Sequence, residues 1–218
     1  MNQLRERRLE EKARRRAEIL DAAETVAASV GAAAMSMDMV ARQARLSRAL
    51  LYVYFADKFD LNVALCERAL QLLRRRMQAA TARHRRGIDQ VAACGRAYVA
   101  FAHRYPVYFE VVSLFQAHAP GSHGRRDNEA ACKTCGDAVH AVTVAALRRG
   151  VTDGSIRRDL GDPALAAVTL WGFMHGIIQL TTTKSAVLAE DGISVRRLVD
   201  HAVELCLRSL APARGSKR

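Results

Sequence analysis

Two groups of residues in this sequence could do chemistry. The first is the run Arg42 to Lys58, RQARLSRALLYVYFADK. Arginine can fork onto guanine or phosphate, tyrosine hydroxyls bond phosphate oxygens, and a free helix N-terminus offers backbone N–H groups to an anion. The second is Cys132-x-x-Cys135 with His140 further on. Paired thiols can cycle to a disulfide or hold a soft metal. There is no second cysteine pair for a structural zinc, so no residue is assigned as a metal ligand and no cofactor is expected. The plain reading of that pair is two small side chains on one helical turn beside a histidine.

The charge favours the first group. The chain has 218 residues, a formal net charge of +12 and a pI of about 10.2. Residues 1–86 carry 18 Lys and Arg against 10 Asp and Glu, and so hold most of the surplus. A chain this basic seeks polyanions. Met1 to Arg16 is too charged for a secretory signal, which needs an apolar centre. Five cysteines, an odd number, do not suggest a disulfide framework. The longest apolar run, Ala164 to Leu180, is broken by Thr169, His175 and Gln179, so it is expected as a buried helix and not a membrane span. A cytoplasmic protein with reduced thiols and no membrane partner is the expectation.

The elements that must position these residues are helices. No Val/Ile/Thr alternation persists, and apolar residues recur at helical spacing. Ile19, Ala22, Ala23, Val26 and Val30 predict a first helix from about Arg15 to Val30, stopped by Gly31. Ser36 and Ser47 are N-cap residues for two short helices, Met37 to Ala44 and about Arg48 to Phe55, around the turn Arg45-Leu46-Ser47. Asp57 caps a long fourth helix with Leu61, Leu65, Leu72 and Met77 on its apolar stripe. Further helices are predicted over Asp89 to Arg104, Pro106 to Gln116, a stretch ending at Arg149 before Gly150, Pro163 to about Ser185, and Ser194 to Leu210. His118 to Asn128 reads as a mobile loop, and Ala213 to Arg218 as a disordered tail. The fold class is therefore all-α.

Two short helices about a tight turn, braced by a third, are the parts of a helix-turn-helix. Val26, Val40, Ala41, Ala44, Leu46, Leu51 and Phe55 are its expected buried side. Arg42, Arg45, Ser47, Arg48, Ala49, Leu50, Tyr52 and Tyr54 are left for solvent or a ligand. From Ala17 to Leu65 the sequence resembles the TetR family of bacterial transcription regulators. The signature is Val40-Ala41, Ala44, Leu46-Ser47, Leu51-Tyr52, Tyr54-Phe55 and Lys58, followed by Leu61, without insertion or deletion. The resemblance implies phosphate contacts from Ser36, Ser47, Tyr52 and Lys58. It implies that Arg48, Ala49, Leu50 and Tyr54 face base edges or adjacent backbone. Arg14, Arg15 and Arg16 lie where relatives often carry a basic arm. Two positions depart from the pattern. Arg45 stands where a glycine with positive φ is usual, and Leu50 where a small hydroxyl residue is usual. Leu50 could press on a thymine methyl.

Trp171-Gly172 followed by His175-Gly176 resembles the Trp-His-Gly pattern of one group of TetR ligand-binding domains. That resemblance implies two domains, residues 1–75 with a helix-turn-helix at about 37–56, and residues 76–218 for effector binding and dimerisation. Phe101, Tyr108, Phe115, Trp171, Met174 and His175 are the candidate effector residues. Gly172, Gly176, Leu198, Ala202 and Leu205 are the candidate dimer residues. The implied protein is not an enzyme. It is an effector-responsive repressor that binds a double-stranded operator as a homodimer, with a small-molecule effector of unknown identity. The alternative reading rests on Cys132 and Cys135, as a thiol peroxidase-like enzyme or as a redox or metal sensor. The helical C-x-x-C plus histidine of alkylhydroperoxidase-like enzymes is similar, although the gap from Cys135 to His140 is one residue longer here.

Overall fold

The computed structural model describes residues 2–115 and 126–212. Every regular element among them is an α-helix: α1 (Asn2–Val30), α2 (Met37–Gln43), α3 (Arg48–Tyr54), α4 (Lys58–Thr81), α5 (Gly87–Arg104), α6 (Pro106–Leu114), α7 (Arg126–Thr152), α8 (Pro163–Thr183), α9 (Ser185–Glu190) and α10 (Val195–Leu210). Packing divides the chain into two units. One comprises residues 1–70 and 105–135, the other 71–104 and 136–218. The first unit takes in α6 and the start of α7, which the sequence-based division at residue 75 places in the second domain.

In the first unit the stripe of α1 behaves as its spacing predicts, with Ile19, Ala22, Ala23 and Val26 buried. Val30 is the departure, since the helix runs out there and its side chain is exposed. Leu51, Phe55, Leu61 and Leu65 complete a core in which none of the four touches solvent. Burying a side chain of this size stabilises by roughly 1.5–3 kcal/mol. Helix α6 is held to α1 and to the connection that follows it by polar bonds. The Tyr108 hydroxyl donates to Glu24 Oε2 at 2.6 Å, and the backbone N–H of Ala32 donates to Glu110 Oε1 at 3.0 Å. Arg68 of α4 reaches Asp21 of α1 at 2.5 Å.

In the second unit Val91, Ala146, Leu147, Ile156, Ala167 and Leu210 form the buried cluster. Gly150 does not stop α7, which runs on to Thr152. The glycine is there for close packing. A Cβ on it would strike the Ile156 side chain, and a Cβ on Gly87 would strike the Gly150 backbone. Asp153 and Ser155 then seat the start of α5. Asp153 Oδ2 accepts from Gly87 N at 2.8 Å, and Ser155 Oγ accepts from Ile88 N at 3.1 Å.

Other differences from the sequence reading have local causes. Helix α1 begins far before Arg15, its first turns carrying ion pairs such as Arg14–Glu11 at 2.6 Å. In α4 it is Leu73 that is buried, and Leu72 is only half-buried. Helix α6 ends at Leu114, and α7 begins at Arg126, inside the expected loop. Most of that loop, residues 116–125, and the tail from Ala213 lie outside the described residues. Helix α9 has no cap signal in the sequence, and none of its residues is buried. The largest correction concerns α8. It is long and apolar enough to cross a membrane, with a mean hydropathy of 1.4, yet only 22% of that window is buried inside the chain. Ala167, Met174, Ile178 and Thr181 face the core, while Leu165, Val168, Trp171, Phe173 and Leu180 face outward.

Candidate nucleic-acid interface

Both short helices start on a serine in extended backbone, as N-caps require. Ser36 Oγ accepts from Met39 N at 3.3 Å, and Ser47 Oγ accepts from Leu50 N at 3.2 Å. The turn between them is closed by Leu46 N donating to Ala41 O at 2.9 Å. Arg45 sits in that turn at φ 55, the only non-glycine residue with positive φ among those described. An L-residue with a Cβ is strained there by roughly 1–2 kcal/mol. The turn geometry thus overrides the side-chain preference, which is the cost of arginine at the usual glycine position.

Helix α3 turns one side inward through Leu51, with its C-cap residue Phe55 also fully buried. Ala41 and Val40 of α2 are buried beneath the turn, while Ala44 and Leu46 are only half-covered. The outward side of α3 presents Arg48, Ala49, Leu50 and Tyr52, with Ser47 just ahead of them; Tyr54 is half-buried. The sequence reading missed Val53, which is 60% exposed and stands beside Tyr52.

Arg48 is pre-positioned. Its guanidinium pairs with Asp38 of α2 at 3.2 Å, lies over the Tyr52 ring at 5.6 Å from its centroid, and donates to the Tyr52 hydroxyl at 3.5 Å. The bond to Tyr52 and the charge of Asp38 raise its pKa, so it stays a cation. Lys58, at the first position of α4, donates to the Ala33 carbonyl at 2.5 Å, which joins α4 to the α1–α2 connection.

Bonds behind the reading face fix where α3 ends. Asp60 is a buried carboxylate. Its Oδ2 accepts from Ala56 N at 2.9 Å, and its Oδ1 accepts from the Asn128 amide at 2.6 Å. Arg16 donates to Asn128 Oδ1 at 3.0 Å, and its guanidinium covers the Phe55 ring at 5.4 Å. Sequence reasoning did not single out Asp60 or Asn128. A buried aspartate near a helix start reads as an ordinary cap until its partner from α7 is seen.

The predicted effector residues are shared between the two units. Tyr108 and Phe115 belong to the first unit. Phe101, Trp171, Met174 and His175 belong to the second, where Phe101 and Met174 are core residues. Around Trp171 the structure brings together Tyr98, His140 and His175. The Tyr98 hydroxyl lies 2.7 Å from His175 Nδ1, the Trp171 indole donates to it at 3.4 Å, and the His140 ring meets Trp171 edge-on at 5.3 Å. Burial lowers the pKa of both histidines and pushes Tyr98 up to about 12. His140 also borders an open groove of about 660 Å³ between α7 and α8, with Val144, Arg148 and Val168.

Of the predicted dimer residues, Gly172 and Gly176 face open space on α8, and Leu205 of α10 is exposed. Leu198 is half-buried, and Ala202 is in the core of the second unit at 1% exposure. The two cysteines of the C-x-x-C also differ. Cys132 is buried and Cys135 half-buried. Among the described residues no three His, Cys, Asp or Glu side chains are arranged to hold a metal.

A capped helix-turn-helix with an outward basic and aromatic face, followed by a second helical unit, defines a helix-turn-helix DNA-binding protein of the two-domain kind. Comparison with known proteins narrows this. The pattern of bacterial regulatory proteins of the tetR family matches residues 19–65, and that of the tetracyclin repressor-like C-terminal domain matches residues 91–205. The chain belongs to the TetR family of transcriptional regulators. No curated protein matches it. Among solved structures, it resembles a protein of unknown function from Rhodococcus sp. RHA1, with 26% identity, a TM-score of 0.71, and 90% of this chain and 95% of that one covered. It also shares its fold with a tetR-family regulatory protein from Rhodococcus RHA1, at 18% identity and TM-score 0.68, covering 90% and 97% of the two chains. A third likeness is the regulator FadR from Bacillus subtilis in complex with stearoyl-CoA, at 17% identity and TM-score 0.67, covering 88% and 98%.

Proposed function

We propose that this protein is an effector-responsive repressor that binds its operator as a homodimer, acting in the cytoplasm and without catalytic chemistry of its own. The observation that carries the reading is α3. It is fixed from behind by Leu51, Phe55 and the Asp60 bond to Ala56, and it leaves Ser47, Arg48, Ala49, Leu50 and Tyr52 outward. That face enters the major groove. Ser36, Ser47, Tyr52 and Lys58 take phosphates, and Arg48 exchanges Asp38 for a base or phosphate on docking. Arg45 and Tyr54 flank the same face. Phosphate neutralisation supplies most of the affinity, which falls steeply with salt.

The outward apolar residues of α8 support the homodimer. Leu165, Val168, Phe173 and Leu180, with Leu205 of α10, form a face that one chain cannot cover. Gly172 and Gly176 let a second helix approach it closely. A two-fold dimer then presents two recognition helices about one DNA turn (~34 Å) apart, or a multiple of it. The effector reading rests on Trp171 and His175, and their contacts with Tyr98 and His140 support it. An acyl-CoA is the first ligand to try, because the FadR neighbour holds one. An effector releases DNA only by binding the DNA-incompetent state more tightly.

Selection of duplexes from a random pool with the purified protein tests this reading. The expected product is a two-fold symmetric site bound by two subunits. A selected pool without symmetry, or no enrichment at low salt, would refute it.

A further inference from the structure

Half of the chain's positive surplus lies outside the helix-turn-helix, in one short stretch. Residues 1–73 carry 12 Lys and Arg against 10 Asp and Glu, a near balance. Residues 74–86, RRRMQAATARHRR, carry six arginines and no acid, against a net charge of +12 for the whole chain. This stretch covers the last turns of α4 and the connection to α5, both in the second unit. The fold brings the end of α7 to the same place. A Cβ on Gly87 would strike the Gly150 backbone, so Arg86 and Arg149, the residues just before these glycines, come from segments in contact.

An open groove of about 560 Å³ lies among these segments. Arg74 of α4 and Arg149 of α7 line it, with Gln78, Thr81 and Gln90. Arg74, Gln78 and Thr81 fall at i, i+4 and i+7, so one face of α4 forms a wall. The α7 side is low, because Ala141 and Ala145 carry only methyl groups. The same two alanines border the groove beside His140, so α7 separates the two. Both arginines are exposed, and neither pairs with an acid among the described residues.

We propose that this groove binds a small phosphate ester with two or more linked phosphoryl groups and a flat or apolar body, such as a nucleoside di- or triphosphate. The planar fork of arginine matches phosphoryl oxygens two at a time, and two guanidiniums that hold no carboxylate keep that capacity. A cleft lined by one sign of charge concentrates the opposite ion, and the neighbouring arginines of residues 74–86 add to that field. Gln90 Nε2 already donates to the His84 carbonyl at 2.8 Å, which leaves its amide oxygen to accept from a hydroxyl or amine of the ligand. Gln78 offers both donor and acceptor. The alanine surface of α7 gives a planar body a place to lie. The volume falls within the roughly 300–1,000 Å³ of small-molecule sites. A duplex is too wide to enter it, so the arginines that line it fit a compact anion. The inference does not depend on how the protein meets DNA.

Isothermal titration of the full chain with ATP, inorganic pyrophosphate and adenosine, without added metal, tests the proposal. The expected result is one ATP per chain, competition by pyrophosphate for the same site, and adenosine at least about tenfold weaker than ATP. Arg74→Gln and Arg149→Gln should keep full helicity and each weaken ATP by about tenfold or more. Hydrogen exchange supplies an independent readout, since ATP should slow it in residues 74–90 and 138–149 of the wild type. Binding of neither ATP nor pyrophosphate overturns the proposal. So does an unchanged ATP affinity in the double variant, or protection confined to residues 36–58. Vesicles of phosphatidylglycerol or a duplex of random sequence that bind through Arg74 and Arg149 while ATP does not would assign the basic surface to a macromolecule, and that too overturns it.

Discussion

The two units of this protein use their exposed residues in opposite ways. In the first unit the outward face is polar and charged, and its backbone is held by short, specific bonds: two serine caps, the Asp60–Ala56 bond and the Asn128 bridge. In the second, the outward face of α8 is apolar. Trp171 and Phe173 are each more than 40% exposed on a helix with few buried residues. A charged face at fixed geometry suits a ligand of fixed shape and opposite charge. An apolar face on a smooth helix suits a second copy of itself. The contrast teaches that exposure alone has no meaning until its chemistry is named.

Core truncation should give the largest effect and separate the units most sharply. Phe55→Ala removes a fully buried ring behind the reading face and should cost about 3–5 kcal/mol in denaturant unfolding. Phe173→Ala removes an exposed ring. It should leave the melting of the isolated chain nearly unchanged while raising the concentration at which dimers form, as seen by sedimentation. A similar unfolding cost for both would erase the distinction.

Next come the residues of the DNA face. Arg48→Ala and Tyr52→Ala should each weaken binding to the selected duplex by roughly 1–3 kcal/mol, with no loss of helicity. Lys58→Ala should act the same way, but with a flatter dependence on salt, since it removes a phosphate contact. Leu50→Ala should alter the base preference at one position. An unchanged site profile removes the thymine contact.

Much of this face was legible in the sequence. Ser36 and Ser47 are caps that any reader of helix signals would place, and Leu51 and Phe55 fall at core spacing. Arg45 was visible as a departure, and the structure shows its physical form, a left-handed arginine at φ 55. Arg45→Gly should accordingly raise stability by about 1 kcal/mol in thermal or chemical unfolding. No change there would mean the turn carries no strain. What the sequence hid depended on distant partners. Asp60 needs Asn128, more than 60 positions away in the chain. The orientation of α8 was misread for a related reason. Its composition fits burial, but the cover is supplied from outside the chain in the dimer proposed here.

The smallest effect concerns the second unit's polar cluster. Burial lowers the pKa of His175, so its ring should titrate below the ordinary value of about 6.5 in a proton NMR titration. The sign for stability follows. The unfolded chain takes up the proton first, so this residue's contribution is full above about pH 6.5 and declines as pH falls toward the lowered folded value. Trp171→Phe removes the indole donor to Tyr98 without changing that direction. A His175 titrating at or above its ordinary value would mean the ring is not desolvated by its neighbours.

The central claim is that α3 docks in a duplex in two copies, fixed by a subunit pair. Sedimentation of the reduced protein with its selected duplex, over a series of salt concentrations, addresses it directly. Two subunits per duplex and a steep linear fall of log affinity with log salt are the expected result. A single subunit that fails to associate with any duplex at low ionic strength would contradict it.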